Sequence, residues 1–226
     1  MKKIKYVSLI FSLSLLGISL AQNGFVTNIE KEIFSVAAPE TSPDFFESEL
    51  AILHKYQNER TVADCELAKT HNIPFFRSLY LYKKNPRIRE FTKNEIDLLS
   101  PMMKEVLEFA EKVTNKPKKL YARKRPNAID PTLSPCIPTP SGETSYPSFH
   151  SAAGSVSSCL LAELFPENGV EFINYGIKIG LLRNIGGVHF PSDVKAGYQI
   201  GQAICQSLLK DSNFMKKFDD LKSKLK

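Results

Sequence analysis

Apolar residues recur at helical intervals along most of this chain. After the start signal Ser42-Pro43-Asp44, residues Phe46, Leu50, Leu53 and Tyr56 fall on one face, which predicts an amphipathic helix from Pro43 to about Glu59. Thr61 to Thr70 continues the helical pattern, Pro74 breaks it, and Pro86 ends the short piece that follows. A longer helix is expected from about Lys93 to Thr114, with Ile96, Leu99, Met103, Val106, Leu107, Ala110 and Val113 along one face and Thr92 placed as its cap. Its methionines read as core filler. Ser148 would cap a helix carrying Val156, Leu160, Leu161 and Leu164 before Pro166. Two more helices are read from Val170 to Leu182 and after Pro191, the latter carrying Val194, Gly197, Gly201, Ile204 and Leu208. Gly176 with Gly180, and Gly197 with Gly201, lie one turn apart and would admit a close neighbour. The tail from Asp211 to Lys226 reads as a basic surface helix or a frayed end. No segment alternates convincingly enough for a strand, so the expected class is all-α: one domain, a compact helical bundle.

Between Pro117 and Pro147 the pattern changes. Prolines 126, 131, 135, 138, 140 and 147 forbid long regular elements, which predicts an extended loop. Loops of that length are uncommon unless they carry function or are disordered. Its opening, Lys116-Pro117-Lys118-Lys119-Leu120-Tyr121-Ala122-Arg123-Lys124-Arg125-Pro126, is strongly basic; taken alone, such a run is a solvated face.

The N-terminus changes the picture of where the chain acts. Lys2, Lys3 and Lys5 precede an apolar run from Val7 to Leu20, and small residues lead to Ala21, the pattern of a secretory signal peptide over residues 1–21. The run is short for a membrane span. Residues 22–42 read as an N-terminal arm and 43–226 as the folded domain. Losing the leader removes three lysines and lowers the formal charge from +6 to +3, too small a surplus to argue for nucleic acid binding. The expected mature protein is soluble and exported, to the periplasm or outside the cell. Cys65, Cys136, Cys159 and Cys205 suit an oxidising compartment; one or two disulfides are open, in any of three full pairings, and their spacing is wrong for zinc. Cys159 and Cys205 fit buried thiols equally well.

The candidate chemistry concentrates in Arg183-Asn184-Ile185-Gly186-Gly187-Val188-His189-Phe190-Pro191-Ser192-Asp193. With a helix starting near Pro191, Asp193 in its first turn reaches back to His189, fixes the tautomer and raises the basicity of the other ring nitrogen. His189 becomes a candidate nucleophile, and Arg183 adds a planar fork suited to phosphate oxygens. Upstream, Ser148 at a helix start leaves backbone N–H groups and the positive dipole end ready for an anion.

Three segments, Lys118-x6-Arg125-Pro126, Pro147-Ser148-x-His150 and Arg183-x5-His189-x3-Asp193, follow in this order. The set resembles the three-part signature of the type 2 phosphatidic acid phosphatase and vanadium haloperoxidase superfamily, and the Tyr146-Pro147-Ser148 form in an exported chain is most similar to bacterial class A non-specific acid phosphatases. The resemblance implies that fold type, with Lys118, Arg125 and Arg183 around the phosphoryl oxygens and the Ser148 hydroxyl and Phe149 N–H completing the cradle. It further implies that His189 forms a phosphohistidine with Asp193 behind it, and that His150 serves as acid and then base. No cofactor and no metal are implied. His54 and His71 match no motif and read as surface residues.

Two positions depart from the family pattern. Phe149 stands where the pattern has Gly. A required positive φ there would cost about 1–2 kcal/mol, whereas as a first helical residue Phe is tolerated and its ring walls the pocket, which is the expectation. Leu182 stands where the pattern has Ser, with a modest expected effect. The implied activity is a metal-independent acid phosphatase acting on small phosphomonoesters and releasing inorganic phosphate, with no stable membrane insertion and with homo-oligomers left open. Vanadium haloperoxidase, soluble lipid-phosphate phosphatase and a weakly active phosphate-binding relative are the alternatives.

Overall fold

A computed structural model describes residues 37–72, 89–139 and 144–225. The leader, most of the arm and the pieces flanked by Pro74 and Pro86 fall outside the described residues. All regular structure among the described residues is helical.

The N-terminal helices match the hydrophobic pattern. Helix α1 spans Pro43–Glu59 and α2 spans Val62–Thr70, separated at Arg60. A capping box starts α2: Thr61 Oγ1 accepts from Asp64 N–H, and the Asp64 carboxylate accepts from Thr61 N–H. Helix α3, Lys93–Tyr121, opens on the same device through Thr92 and Glu95. Its expected stripe is buried, with Met102, Met103 and Phe109 in the core.

At its far end α3 corrects the expectation of a loop from Pro117. The helix runs through Pro117 to Tyr121, so Lys118 sits on its last turn. A proline inside a helix forfeits one backbone bond, at a cost of about 3 kcal/mol. Here Val113, Thr114 and Pro117 are all buried, and Lys118 Nζ donates to Thr144 O at 2.8 Å and Ser145 O at 3.3 Å, so packing and anchoring offset that loss. Ala122 ends the helix in the left-handed region, φ 46°, and turns the chain inward. The expected loop also holds one short helical turn, α4, Pro126–Ile129.

Helix α5, Phe149–Leu164, is the axis of the molecule. It is buried on nearly every side, from Ser151 to Ser158 and again at Leu160, Leu161 and Leu164. Against it pack α3, α6 (Gly169–Ile185) and α7 (Pro191–Leu208). Small residues bring the backbones close: a Cβ on Gly197 would stand 2.2 Å from Ser148 O, and one on Gly201 2.4 Å from Ala152 O. Two hydroxyls inside α5 find partners across this tight seam, Ser151 Oγ donating to Val194 O at 2.7 Å and Ser155 Oγ to Tyr198 O at 2.9 Å. Both disulfides form: Cys159–Cys205 joins α5 to α7, and Cys65–Cys136 ties α2 to the loop after α4. The tail is neither frayed nor merely superficial. Helix α8, Ser212–Lys224, is capped by Asp211 and sends Phe214, Phe218 and Leu221 into the main core.

Candidate active site

The three sequence segments meet at one end of α5. Lys118 comes from the last turn of α3, Arg125 from the residue before α4, Phe149 and His150 from the first turn of α5, Arg183 from the last turn of α6, and His189 from the turn into α7. With Asn72, Glu111 and Asn115 they line a cavity of about 220 Å³. A more open groove of about 440 Å³ along α3, from Glu108 to Lys119, carries neither histidine nor arginine.

The turn between α6 and α7 explains how His189 arrives. Gly187 adopts φ 78°, where L side chains are strained, and its N–H bonds back to Asn184 O at 2.9 Å. Asn184 Nδ2 then donates to His189 O at 2.9 Å and pins the backbone. Pro191 sits at the start of α7, so Asp193 lies in its first turn, where its Oδ2 accepts from Phe190 N–H at 2.9 Å. The same oxygen stands 3.3 Å from His189 Nδ1. This carboxylate favours a proton on Nδ1, which leaves Nε2 to accept from Arg125 Nη1 at 3.2 Å at the cavity wall.

Carbonyl and amide oxygens hold the cations in place. Arg125 Nη1 donates to Val188 O at 2.8 Å, and Arg183 Nη1 to Asn72 Oδ1 at 2.8 Å, while Lys118 holds the Thr144 and Ser145 carbonyls. Arg125 and Arg183 are 5% and 1% exposed, so these charges act through little water. Burial pushes the His189 ring well below the ordinary histidine range, and Arg125, Lys118 and Arg183 push it further. His150 falls likewise, first by burial and then by Arg183 and His189. Asp193 moves up by burial, opposed by Arg123.

Phe149 occupies the first position of α5, after Ser148 as cap, and Ala122 is the non-glycine with positive φ among the described residues, so the missing glycine imposes no left-handed strain. Its ring lines the cavity. Ser148 is fully buried and does not line it; its Oγ accepts from Ser151 N–H at 3.3 Å and its N–H donates to Asp193 O at 2.9 Å. Leu182 packs with Ala68, Ile137 and Val188 and does not line the cavity. His71 departs from its expected surface place: 4% exposed, it meets the Tyr175 hydroxyl beside the Asn72 that braces Arg183. His54 is half-buried and pairs with Asp130 at 2.8 Å.

Sequence reasoning missed Asn72, Glu49 and Arg123. Arg123 binds Asp193 Oδ1 at 2.7 Å and Glu49 Oε2 at 2.6 Å. A signal existed for Arg123, which stands two residues before Arg125, but the surrounding lysines disguised it as solvated charge. Glu49 lies on an amphipathic helix, where nothing local separates a buried carboxylate from an exposed one.

Comparison with known proteins accounts for this arrangement. Non-specific acid phosphatases from Providencia stuartii and Salmonella typhimurium are 35% and 39% identical over 78 and 88 residues, stretches that make up 34% and 37% of this chain and 32% and 35% of theirs. An acid phosphatase of Zymomonas mobilis is 36% identical over 70 residues, 31% of this chain and 26% of that protein. The matches thus span well under two thirds of these relatives. Two solved structures share the fold: a bacterial vanadium-dependent iodoperoxidase, with TM-score 0.60 and 16% identity, covering 78% of this chain and 52% of that one, and a transmembrane PAP2-type phosphatidylglycerolphosphate phosphatase from Bacillus subtilis, with TM-score 0.54 and 17% identity, covering 79% and 88%. With the family model for the PAP2 superfamily matching residues 100–214, which hold every residue of the three motif segments, this chain belongs to the PAP2 superfamily.

Proposed function

We propose that this protein is an acid phosphatase that hydrolyses small phosphomonoesters through a phosphohistidine on His189. The observation that carries this reading is the His189 ring: one nitrogen faces Asp193 and the other opens beside Arg125 into a cavity that also holds His150, Lys118 and Arg183. A phosphomonoester brings about two negative charges, which those three cations take up as the phosphoryl group transfers. In this reading the side-chain cations do the charge stabilisation that a metal ion does elsewhere.

His189 Nε2 attacks phosphorus, the N–P bond forms, and the bond to the leaving oxygen breaks in line. His150 gives its proton to that oxygen. It then takes a proton from the water that cleaves the N–P bond, releasing inorganic phosphate. In the protein alone His150 sits well below its ordinary range. Substrate charge opposes the effect of Arg183, so binding itself favours the protonated acid. The positive end of α5 and the Phe149 N–H contribute to the cradle, with the Ser148 hydroxyl behind them.

Residues 1–21 serve as a cleaved leader, 22–42 as an arm and 43–226 as the phosphatase domain, in the periplasm or outside the cell. Two disulfides fit that compartment. Among the described residues no helix is long and apolar enough to cross a membrane.

The test is hydrolysis of a chromogenic aryl phosphate in EDTA from about pH 4 to 8, beside His189→Ala. Turnover that survives EDTA and vanishes in the variant supports the reading. Binding of phosphate without turnover would instead make the protein a phosphate-binding relative, and halide oxidation on adding vanadate would make it a haloperoxidase.

A further inference from the structure

The carboxylate behind His189 is held from outside its own turn. Arg123 Nη1 donates to Asp193 Oδ1 at 2.7 Å and to Ser192 Oγ at 2.7 Å. Its Nη2 donates to Glu49 Oε2 at 2.6 Å, and Glu49 Oε1 accepts from Ser192 N–H at 2.6 Å. The three charged side chains are 8%, 3% and 0% exposed, for Arg123, Glu49 and Asp193 in turn. The guanidinium lies 4.1 Å over the Phe190 ring and 5.7 Å from that of Phe46, and the two rings touch each other with centroids 5.1 Å apart, so one aromatic pair lines it.

One guanidinium is shared by two buried carboxylates, and Lys118 is the second cation that faces Asp193. A buried carboxylate is costly unless it meets a positive partner. Asp193 is faced by Arg123 and Lys118 as cations, Glu49 as the second acid, the Tyr146 phenol, and the His189 ring. His189 acquires positive character when its Nε2 bonds to phosphorus. The Asp193 carboxylate therefore stands where that positive charge develops.

We infer that Arg123 and Glu49 are positioning residues for His189: they aim Asp193 at Nδ1 and meter its charge, which makes α1 a working part of the site. This rests on His189 being the nucleophile. Glu49 lies outside residues 100–214, so the N-terminal helix supplies what the family-matched region lacks. Asn72, which braces Arg183, lies outside it as well.

The test follows kcat and KM for an aryl phosphate across pH in Glu49→Gln, Arg123→Lys and Arg123→Gln, beside 15N spectra of the His189 ring. Arg123→Gln lowers kcat by roughly 10- to 100-fold, as loss of a group behind a functional histidine does, with KM little changed. It also moves the acid limb of kcat/KM to higher pH, because Asp193 without its guanidinium protonates more readily. Arg123→Lys recovers part of the rate. Glu49→Gln moves the acid limb the other way, since the guanidinium is then undivided on Asp193. Rates that fall only in step with the folded fraction, with an unchanged pH profile, would show a structural brace and overturn the inference. Should wild-type protein turn nothing over, the phosphatase reading fails but the spectra still decide. A His189 Nδ1–H signal that shifts in Glu49→Gln and in the Arg123 variants supports the positioning role, and one that ignores all three overturns it. Should Arg123→Gln not fold, Arg123→Lys and Glu49→Gln carry the same readouts.

Discussion

Single side chains in this site work through what neutralises them. Asp193 is the acceptor for His189 Nδ1, for Phe190 N–H and for Arg123, so Asp193→Asn presents an amide to two donors and favours the wrong tautomer. A loss in kcat of about 10³- to 10⁴-fold is expected in the aryl phosphate assay, on the scale seen when the acid of a catalytic triad is amidated. Phe149 poses a question of shape rather than charge. If its ring selects substrates, Phe149→Gly changes relative kcat/KM among aryl, sugar and alkyl phosphates; a large rise across all of them would show that the ring merely obstructs. The histidines also link pH to stability. Both His150 and His189 stay neutral in the folded protein well below the ordinary range, whereas the unfolded chain protonates them near pH 6.5. The unfolded state therefore binds more protons as pH falls, and stability declines below about pH 6.5 with a slope approaching 1.4 kcal/mol per unit for each ring. Asp193, shifted up, works in the opposite sense: its contribution is present at low pH and is lost as pH rises above the ordinary carboxylate range and its proton leaves. Urea midpoints at stepped pH should show the acid-side decline, and His189→Asn should flatten it.

At the level of elements, the site depends on how closely α7 lies against the start of α5. Gly197 is the contact point, since any Cβ there meets Ser148 O and the side chain of Ser151. The neighbouring bond from Ser148 N–H to Asp193 O then has to move with it. Gly197→Ala should cost about 1–3 kcal/mol by overpacking and reduce kcat through a displaced Asp193. Gly169→Ala is the control. Its Cβ would meet Ala162 at an ordinary 3.6 Å, so denaturation should show no loss and a gain of up to about 1 kcal/mol from the helix position. The contrast separates close packing from a general dislike of substitution. Helix pattern, caps and stop signals were legible because they are local: Thr92, Ser148 and the apolar stripe of α3 act on their own turns. The extension of α3 through Pro117 was not legible, because what keeps it helical is Lys118 reaching Thr144 and Ser145, distant in sequence.

For the whole molecule, the disulfides tie elements distant in sequence: one anchors α2 to the loop after α4, the other joins α5 to α7. Cys65–Cys136 closes a separation of 71 residues and Cys159–Cys205 one of 46. On the chain-entropy account each constrains the unfolded state by about 4 kcal/mol, so reduction should lower the urea midpoint sharply. Removing Cys65–Cys136 alone should also weaken phosphate binding, because α2 leads directly into the Asn72 that braces Arg183. The sequence by itself determined the all-α class, the order of the helices and the motif residues Lys118, Arg125, Ser148, His150, Arg183, His189 and Asp193, since these depend on period, capping and spacing within short windows. Tertiary structure alone decided which cysteines pair, that Phe149 takes a helical rather than left-handed backbone, that Ser148 stands behind the cavity wall, and that Glu49 from α1 reaches Asp193 through Arg123. The reason is physical. A buried charge is tolerated only with a partner, and which partner is available is settled by the packing of helices far apart in sequence.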